Sequence, residues 1–263
     1  MKYTYKKTEV SYRERGTGKP VILIHGFLEN QKMWDGVVEN LKEDHQVFTL
    51  DLFGHGKTDG LCDVHTMEQQ ATLVKDLMDR QKIIKATIIG HSMGGYISLA
   101  FAELFPEKVA GLGLLNSHPF ADNFEKQEAR ERAIKTVKRN YKAYVTAAIP
   151  SFFAPENREK YKKEIQKLVA EALQMTPENI IAALKGMKLR KDRSELFCKR
   201  QHYPKLWIVG KKDPLIELDK IRGLAENCKG TDYIELGAGH MSYVENKEEM
   251  PQVIKRFLQR NDL

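Results

Sequence analysis

Ala86-Thr87-Ile88-Ile89-Gly90-His91-Ser92-Met93-Gly94-Gly95 joins a short apolar run to a Gly-x-Ser-x-Gly turn, and a helical pattern follows from Met93 to Phe105. The run Ala86–Ile89 has the length and composition of a central strand buried on both faces of a mostly parallel sheet. A sharp strand-to-helix turn forces its serine into a strained backbone conformation. Small residues at Gly90 and Gly94 leave room for neighbouring elements. The Ser92 hydroxyl is then presented at the carboxyl edge of the sheet, where the N-terminus of the following helix supplies positive potential for a developing oxyanion. The motif is short and recurs by chance, so its weight comes from having a strand before it and a helix after it.

Runs of the same kind recur on either side: Val21–Ile24, Gln46–Leu50, Val109–Leu115, Leu206–Val209 and Thr231–Leu236. Ahead of them, Lys2–Thr8 and Glu9–Arg15 alternate like the strands of a hairpin, and Gly16-Thr17-Gly18-Lys19-Pro20 makes a turn. Thr66-Met67-Glu68-Gln69 is a capping box opening a helix to about Lys82, with Ala71, Val74, Leu77 and Met78 on one apolar face. Pro106 ends the helix begun at Met93, and Pro251–Gln259 is a last helix with proline at its first position. Such alternation predicts an α/β fold whose parallel strands are joined by right-handed helical crossovers on both faces of the sheet.

The alternation breaks between His118 and Tyr203, where the pattern is helical throughout. Glu125–Tyr144 reads as a charged helix, Pro150 and Pro155 interrupt, and Tyr161, Ile165, Leu168, Val169 and Leu173 form the apolar stripe of the next. Thr176-Pro177-Glu178 starts a third helix, with Gly186 as its stop. The expected organisation is one core from residues 1–117 and 204–263 with a helical insertion, 118–203, between two strands. No internal repeat or low-complexity tract is present.

A serine hydroxyl is a weak nucleophile at neutral pH and needs a base held by a carboxylate. His240, in the loop Gly237-Ala238-Gly239-His240-Met241 after the final strand, is the candidate base. His91 adjoins the nucleophile but is expected to point away from it. Asp213, soon after Leu206–Val209, is the candidate acid and gives the chain order Ser92, Asp213, His240. Glu217 and Asp219 compete with it, but both fall where a helix should begin and acids there are commonly N-terminal charges. The strand Val109–Leu115 ends in Asn116-Ser117-His118 and offers no acid. Two backbone N–H groups are needed for the oxyanion; Met93, after the nucleophile, and Phe27, in His25-Gly26-Phe27 after Val21–Ile24, are the candidates.

These landmarks together resemble the α/β-hydrolase superfamily over nearly the whole chain. They are His25-Gly26-Phe27, Asp51-Leu52-Phe53-Gly54-His55-Gly56-Lys57-Thr58, Gly90–Gly95, Gly210-Lys211-Lys212-Asp213 and Gly239-His240, in the superfamily's order. Thr58 stands where serine is commoner. The resemblance implies an eight-stranded, mostly parallel sheet and a helical cap, 118–203, over the site. It also implies a serine hydrolase, carboxylesterase-like, working through an acyl-enzyme with no metal or organic cofactor. Gly26-Phe27-Leu28-Glu29-Asn30 and Gly90–Gly95 are also similar to the menaquinone-pathway synthase, so a lyase, a synthase or a carbon–carbon hydrolase on the same triad is the alternative. A ligand-binding receptor that keeps the hydrolase fold is another.

The remaining features narrow the field. Gly56-Lys57-Thr58 mimics the end of a phosphate-binding loop, but Asp51 stands where that loop requires its first glycine, and no GxGxxG follows a strand. The net charge of +7 sits in the insertion, where residues 121–205 hold 20 Lys and Arg against 11 Asp and Glu. Those charges are interleaved, the pattern of a solvated helix face and not of a nucleic-acid surface. No apolar run is long enough to cross a bilayer, and none of signal-peptide length follows the N-terminus. Cys62, Cys198 and Cys228 are far apart with no metal-ligand spacing, so three separate thiols and a cytoplasmic setting are expected. The expected partner is a small-molecule substrate alone, and Phe120, Phe124, Tyr144, Phe152, Phe153 and Met187 are predicted to line an apolar pocket for it.

Overall fold

A computed structural model describes residues 1–263. Eight strands form one sheet: β1 (Lys2–Tyr5), β2 (Thr8–Arg15), β3 (Lys19–Ile24), β4 (His45–Leu50), β5 (Ala86–His91), β6 (Val109–Leu115), β7 (Lys205–Gly210) and β8 (Thr231–Leu236). Their spatial order is β1-β2-β4-β3-β5-β6-β7-β8. The β1–β2 hairpin and the β2–β4 pair are antiparallel and every other pair is parallel. Between β3 and β6 lie α1 (Asp35–Leu41), α2 (Met67–Arg80) and α3 (Met93–Leu104). Four helices separate β6 from β7: α4 (Phe124–Ser151), α5 (Lys162–Ala172), α6 (Pro177–Lys188) and α7 (Ser194–Cys198). Then come α8 (Leu218–Ala225) before β8, and α9 (Ser242–Glu245) and α10 (Glu249–Arg260) after it.

The period of the strands explains the two layers. Val21 and Leu23 of β3 face α1 and α10, where Leu41, Ile254 and Phe257 bury them. Their neighbours Ile22 and Ile24 point to the opposite face, into a core shared with Val74, Leu77, Ile97 and Phe101 of α2 and α3. Adjacent residues of one strand thus serve two cores. From β3 the chain steps outward to β4 and then returns past β3 to β5. This is a topological switch point, and the crevice at the carboxyl ends of β3 and β5 is where open α/β sheets bind ligands.

Several local expectations are corrected. The first strand stops at Tyr5, and β3 begins at Lys19, because Lys19 and Pro20 already pair with His45 and Gln46. Gly186 does not end α6. It lies two residues inside the helix, where a Cβ would come within 1.7 Å of the His65 carbonyl oxygen, so the glycine marks a helix-to-loop contact. Pro150 does not interrupt α4 either; the break falls at Asn140, with φ −160° and ψ 85°, whose side chain accepts from the Ala143 amide and caps a second helical run. Pro251 occupies the third position of α10, not the first, as the helix begins at Glu249. Cys198, closing α7, and Cys228, just beyond α8, are joined as a disulfide, which their separation of 30 residues concealed; Cys62 alone is free. No helix is long and apolar enough to cross a membrane.

Candidate active site

Ser92 occupies the turn between β5 and α3 with φ 49° and ψ −114°. Few non-glycine residues adopt this region, and the strain is sustained by surrounding structure. The Ser92 amide donates to the Leu115 carbonyl at 2.9 Å, and Ser117 Oγ donates to the Ser92 carbonyl at 2.8 Å. A Cβ on Gly90 would lie 2.1 Å from the Gly94 carbonyl oxygen, and one on Gly94 would lie 2.2 Å from the Ile24 carbonyl oxygen. Both glycines are therefore spatial requirements of the turn.

His240 Nε2 is 2.8 Å from Ser92 Oγ, and His240 Nδ1 is 2.8 Å from Asp213 Oδ2. The imidazole sits in the loop after β8, held by its own amide donating to the Phe152 carbonyl at 3.0 Å, and its ring meets the Phe152 ring edge-on. Asp213 is buried, which by itself would raise its pKa. The charge and hydrogen bond of His240, with further bonds from Asn116 Nδ2 and the Leu215 amide, more than offset this and hold the carboxyl below the usual carboxylate range. Glu217 and Asp219 lie away from this relay, Glu217 at the N-terminal boundary of α8 and Asp219 in its first turn.

Beside Ser92 runs the loop after β3. His25 Nε2 accepts the Leu52 amide at 3.0 Å, so its Nδ1–H donates to the Gly26 carbonyl at 2.7 Å. That bond fixes the Gly26–Phe27 peptide, whose amide, on Phe27, has no hydrogen-bond partner in the chain. The Met93 amide opens α3, where a first-turn N–H has no intrahelical acceptor. A Cβ on Gly26 would stand 3.2 Å from Ser92 Cβ, which measures how closely this loop presses on the turn.

Two residues without an assigned role in the sequence reading tie these parts together. Asn116, at the end of β6 with φ 46°, donates from Nδ2 to Asp213 Oδ2 and to the Gly239 carbonyl, both at 3.0 Å. It braces the acid and the histidine loop at once. The signal for it was the polar residue closing an apolar strand at the sheet's carboxyl edge. Glu29 accepts from the Gly26 amide at 2.6 Å and from His91 Nδ1 at 2.8 Å, while His91 Nε2 donates to the His240 carbonyl at 2.9 Å. His91 thus points away from Ser92 as expected, and links the loop after β3 to the histidine loop.

Burial alone would lower the pKa of His91, but the Glu29 carboxylate raises it above its ordinary 6.5; burial would raise Glu29, but His91 holds it below its ordinary 4.5. The two form a buried ion pair. The histidine's contribution is complete below pH 6.5 and lost as pH rises through its raised value. The glutamate's is complete above pH 4.5 and lost as pH falls through its lowered value. Glu29→Gln is accordingly expected to cost about 3 kcal/mol of stability. In urea unfolding, the difference from the parent chain should be greatest between pH 4.5 and 6.5 and shrink on either side. A difference that does not vary with pH would contradict the charged pair.

A cavity of about 280 Å³ opens onto Ser92 and His240. Of the predicted lining, Tyr144, Phe152 and Met187 face it, together with Phe27 and Leu184. Three expectations are corrected. Phe153 is fully buried against Tyr161 in the core, Phe124 is 75% exposed, and Phe120 lies outside the cavity under Lys220. Phe120 and Phe153 lie in the connections before and after α4, and Phe124 is the first residue of that helix, so no helical period governed where their side chains turn. Nor is the lining only apolar, since Lys126, Arg130, Arg190, Asp122 and His118 also border the cavity.

Comparison with known proteins agrees with this arrangement of the fold. A family model described as "alpha/beta hydrolase fold" matches residues 19–247. A thermophilic esterase from Thermogutta terrifontis, solved with malate bound, superposes with a TM-score of 0.91 at 29% identity, over 97% of this chain and 94% of that one. A 2-hydroxy-6-oxononadienedioate/2-hydroxy-6-oxononatrienedioate hydrolase from Paraburkholderia phymatum is 26% identical over 95% of this chain and 90% of its own length. The dihydrolipoyllysine-residue acetyltransferase component of an acetoin cleaving system from Pseudomonas putida is 26% identical over 93% of this chain. The chain spans 64% of that Pseudomonas protein's length, and a 35% identical match over 107 residues spans 31% of an uncharacterized protein from Mycobacterium bovis.

Proposed function

We propose that this chain, which belongs to the α/β-hydrolase family, hydrolyses a small carboxylic ester through an acyl-enzyme formed on Ser92. The observation that carries this reading is the relay from Asp213 through His240 to Ser92, two contacts of 2.8 Å ending at the floor of a cavity. His240 Nε2 takes the Ser92 proton as Oγ attacks the ester carbonyl, and the Asp213 carboxylate balances the imidazolium that forms. The Phe27 and Met93 amides receive the oxyanion. His240 then returns the proton to the leaving alcohol, and a water activated by the same imidazole cleaves the acyl-enzyme and releases the acid. Residues 118–203 act as a cap on the core formed by 1–117 and 204–263, supplying Tyr144, Phe152 and Met187 to the substrate site.

The size of the cavity sets the substrate range. Pockets for drug-sized ligands run from about 300 to 1,000 Å³, so 280 Å³ suits a short acyl chain. In a series of 4-nitrophenyl esters, kcat/KM is expected to peak between acetate and butyrate and to fall about ten-fold by octanoate, at about 1.4 kcal/mol per factor of ten. Absence of ester hydrolysis, or hydrolysis that persists without Ser92, would overturn the reading. The same groups also suit carbon–carbon cleavage beside a carbonyl, a second reading favoured by the resemblance to the Paraburkholderia hydrolase. Turnover of vinylogous diketo acids with none of esters would select it.

A further inference from the structure

The cavity beside Ser92 is lined by two chemically different groups of residues. Phe27 belongs to the loop that presses on the Ser92 turn, and Phe152 meets the His240 ring edge-on. The cationic end is made by Lys126 and Arg130 of α4, Arg190 just after α6, and His118 after β6, with Tyr96 packed against both Arg190 and His118. Glu29 at the cavity wall is matched by His91. That leaves Asp122 as the one other acid lining the cavity beside three cations, of which Lys126 also reaches Glu217, outside the cavity, at 3.6 Å. Its buried carboxylate touches Arg130 and lies 2.6 Å from Arg190 Nη1.

Arg190 is the centre of this end, with only 1% of its side chain exposed. Its Nε donates to the Phe120 carbonyl at 3.0 Å and its Nη1 to the Met187 carbonyl at 3.0 Å as well as to Asp122. Nη2 is buried with no partner in the chain. A role as a latch between α4 and α6 accounts for Nε, Nη1 and Asp122, but leaves Nη2 and the surplus positive charge unused. A buried charged donor without an acceptor is costly, and a guanidinium's fixed fork matches a carboxylate. His118 Nδ1 is likewise buried and unpartnered. Burial first, and then the positive charges of Arg190, Lys126, Lys220 and Arg130, keep that imidazole neutral. It therefore adds a polar group to this end without adding charge.

Tyr96 lies one helical turn after Ser92, a rise of about 6 Å along α3, and the Arg190 guanidinium sits 4.0 Å over the Tyr96 ring. Ser92 and the cationic end thus border one cavity with about a turn of α3 between them.

We propose that Arg190, with Lys126 and Arg130, forms a carboxylate subsite, so that the substrate is an anionic ester whose acyl group ends in a free carboxylate. The inference rests on the serine-hydrolase reading above and names the substrate class for that site. The ester's carbonyl lies at Ser92 while its terminal carboxylate takes the free Nη2 of Arg190. The bond chemistry is that of the acyl-enzyme route, and the product acid leaves as a dicarboxylate.

The test compares two esters with one leaving group, 4-nitrophenyl hydrogen adipate and 4-nitrophenyl methyl adipate, at neutral pH. The parent chain is expected to favour the anion by about ten-fold or more in kcat/KM, expressed in KM, as for a charge-assisted hydrogen bond. Arg190→Gln should remove most of that preference. Because it also strips Asp122 of a partner, Lys126→Gln is measured beside it. Lys126 is part-exposed and its one ion pair is with Glu217 at 3.6 Å, so its loss does not disturb Asp122. The ratio of anionic to neutral kcat/KM should fall about three-fold in Lys126→Gln, and added salt should lower it in the parent. Equal or better turnover of the methyl ester, or a ratio that neither substitution changes, would overturn the subsite while leaving the serine-hydrolase reading intact. Hydrolysis of neither ester, with no modification of Ser92 by a fluorophosphonate, would overturn both.

Discussion

Ser92→Ala is expected to lower kcat/KM on a short aryl ester by about 10⁴ to 10⁶-fold, almost entirely in kcat, with stability changed by less than about 1 kcal/mol. The two expectations come from different parts of the turn. Strain at φ 49° is carried by the backbone, by Gly90 and Gly94, and by bonds to the Ser92 amide and carbonyl. Alanine keeps all of these. What it removes is Oγ, whose one partner in the chain is His240 Nε2. The residual rate should reflect the amides of Phe27 and Met93 acting on a water-mediated reaction. Steady-state kinetics beside a urea denaturation curve would separate the effects, and parallel loss of activity and fold would contradict the assignment.

Asp213→Asn is expected to reduce kcat by about 10⁴-fold, because an amide in this position cannot hold the imidazole in its working tautomer. The surroundings make the substitution harsher than a loss of charge. Oδ1 of Asp213 accepts the Leu215 amide at 2.9 Å, while Oδ2 accepts Asn116 Nδ2 at 3.0 Å and faces His240 Nδ1 at 2.8 Å. An asparagine NH₂ therefore meets a donor whichever way it is turned. One buried donor pair is left facing another, at a cost of about 1–3 kcal/mol. The expected signature is a large fall in kcat with KM little altered, together with a lower denaturation midpoint. Retention of more than about a tenth of the parent kcat would contradict the role given to Asp213.

Much of the architecture was legible because apolar periodicity directly reflects burial. The runs Val21–Ile24 and Ala86–Ile89 lie within central strands of the sheet, and the capping box at Thr66 and Gln69 opens α2 with both of its bonds formed. Positions governed by contacts between distant segments were not legible. Gly186 looked like a stop because glycine commonly follows a helix, whereas its lack of a side chain lets α6 lie against His65. Cys198 and Cys228 gave no hint of their pairing because nothing local places α7 beside the end of α8.

The site divided along the same line. Ser92, Asp213 and His240 stand at strand ends that the fold brings together, so motif and order sufficed to single out three side chains that lie in contact. Asn116 and Glu29 act by bridging loops, through geometry that exists only once β3, β6 and the loop after β8 are side by side. The insertion was the least readable part. Its charges alternate along helices, and the sequence pattern did not reveal that Lys126, Arg130 and Arg190 turn toward one cavity while Phe124 turns to solvent.

The central claim is that Ser92 is an activated nucleophile, and covalent labelling tests it most directly. After incubation of the whole chain with a small fluorophosphonate, intact mass and peptide mapping should find one adduct per chain, carried on Ser92. The adduct should be missing in Ser92→Ala and should form far more slowly in Asp213→Asn. An unmodified chain, an adduct mapped to another residue, or equal labelling of the Ser92→Ala variant would contradict it.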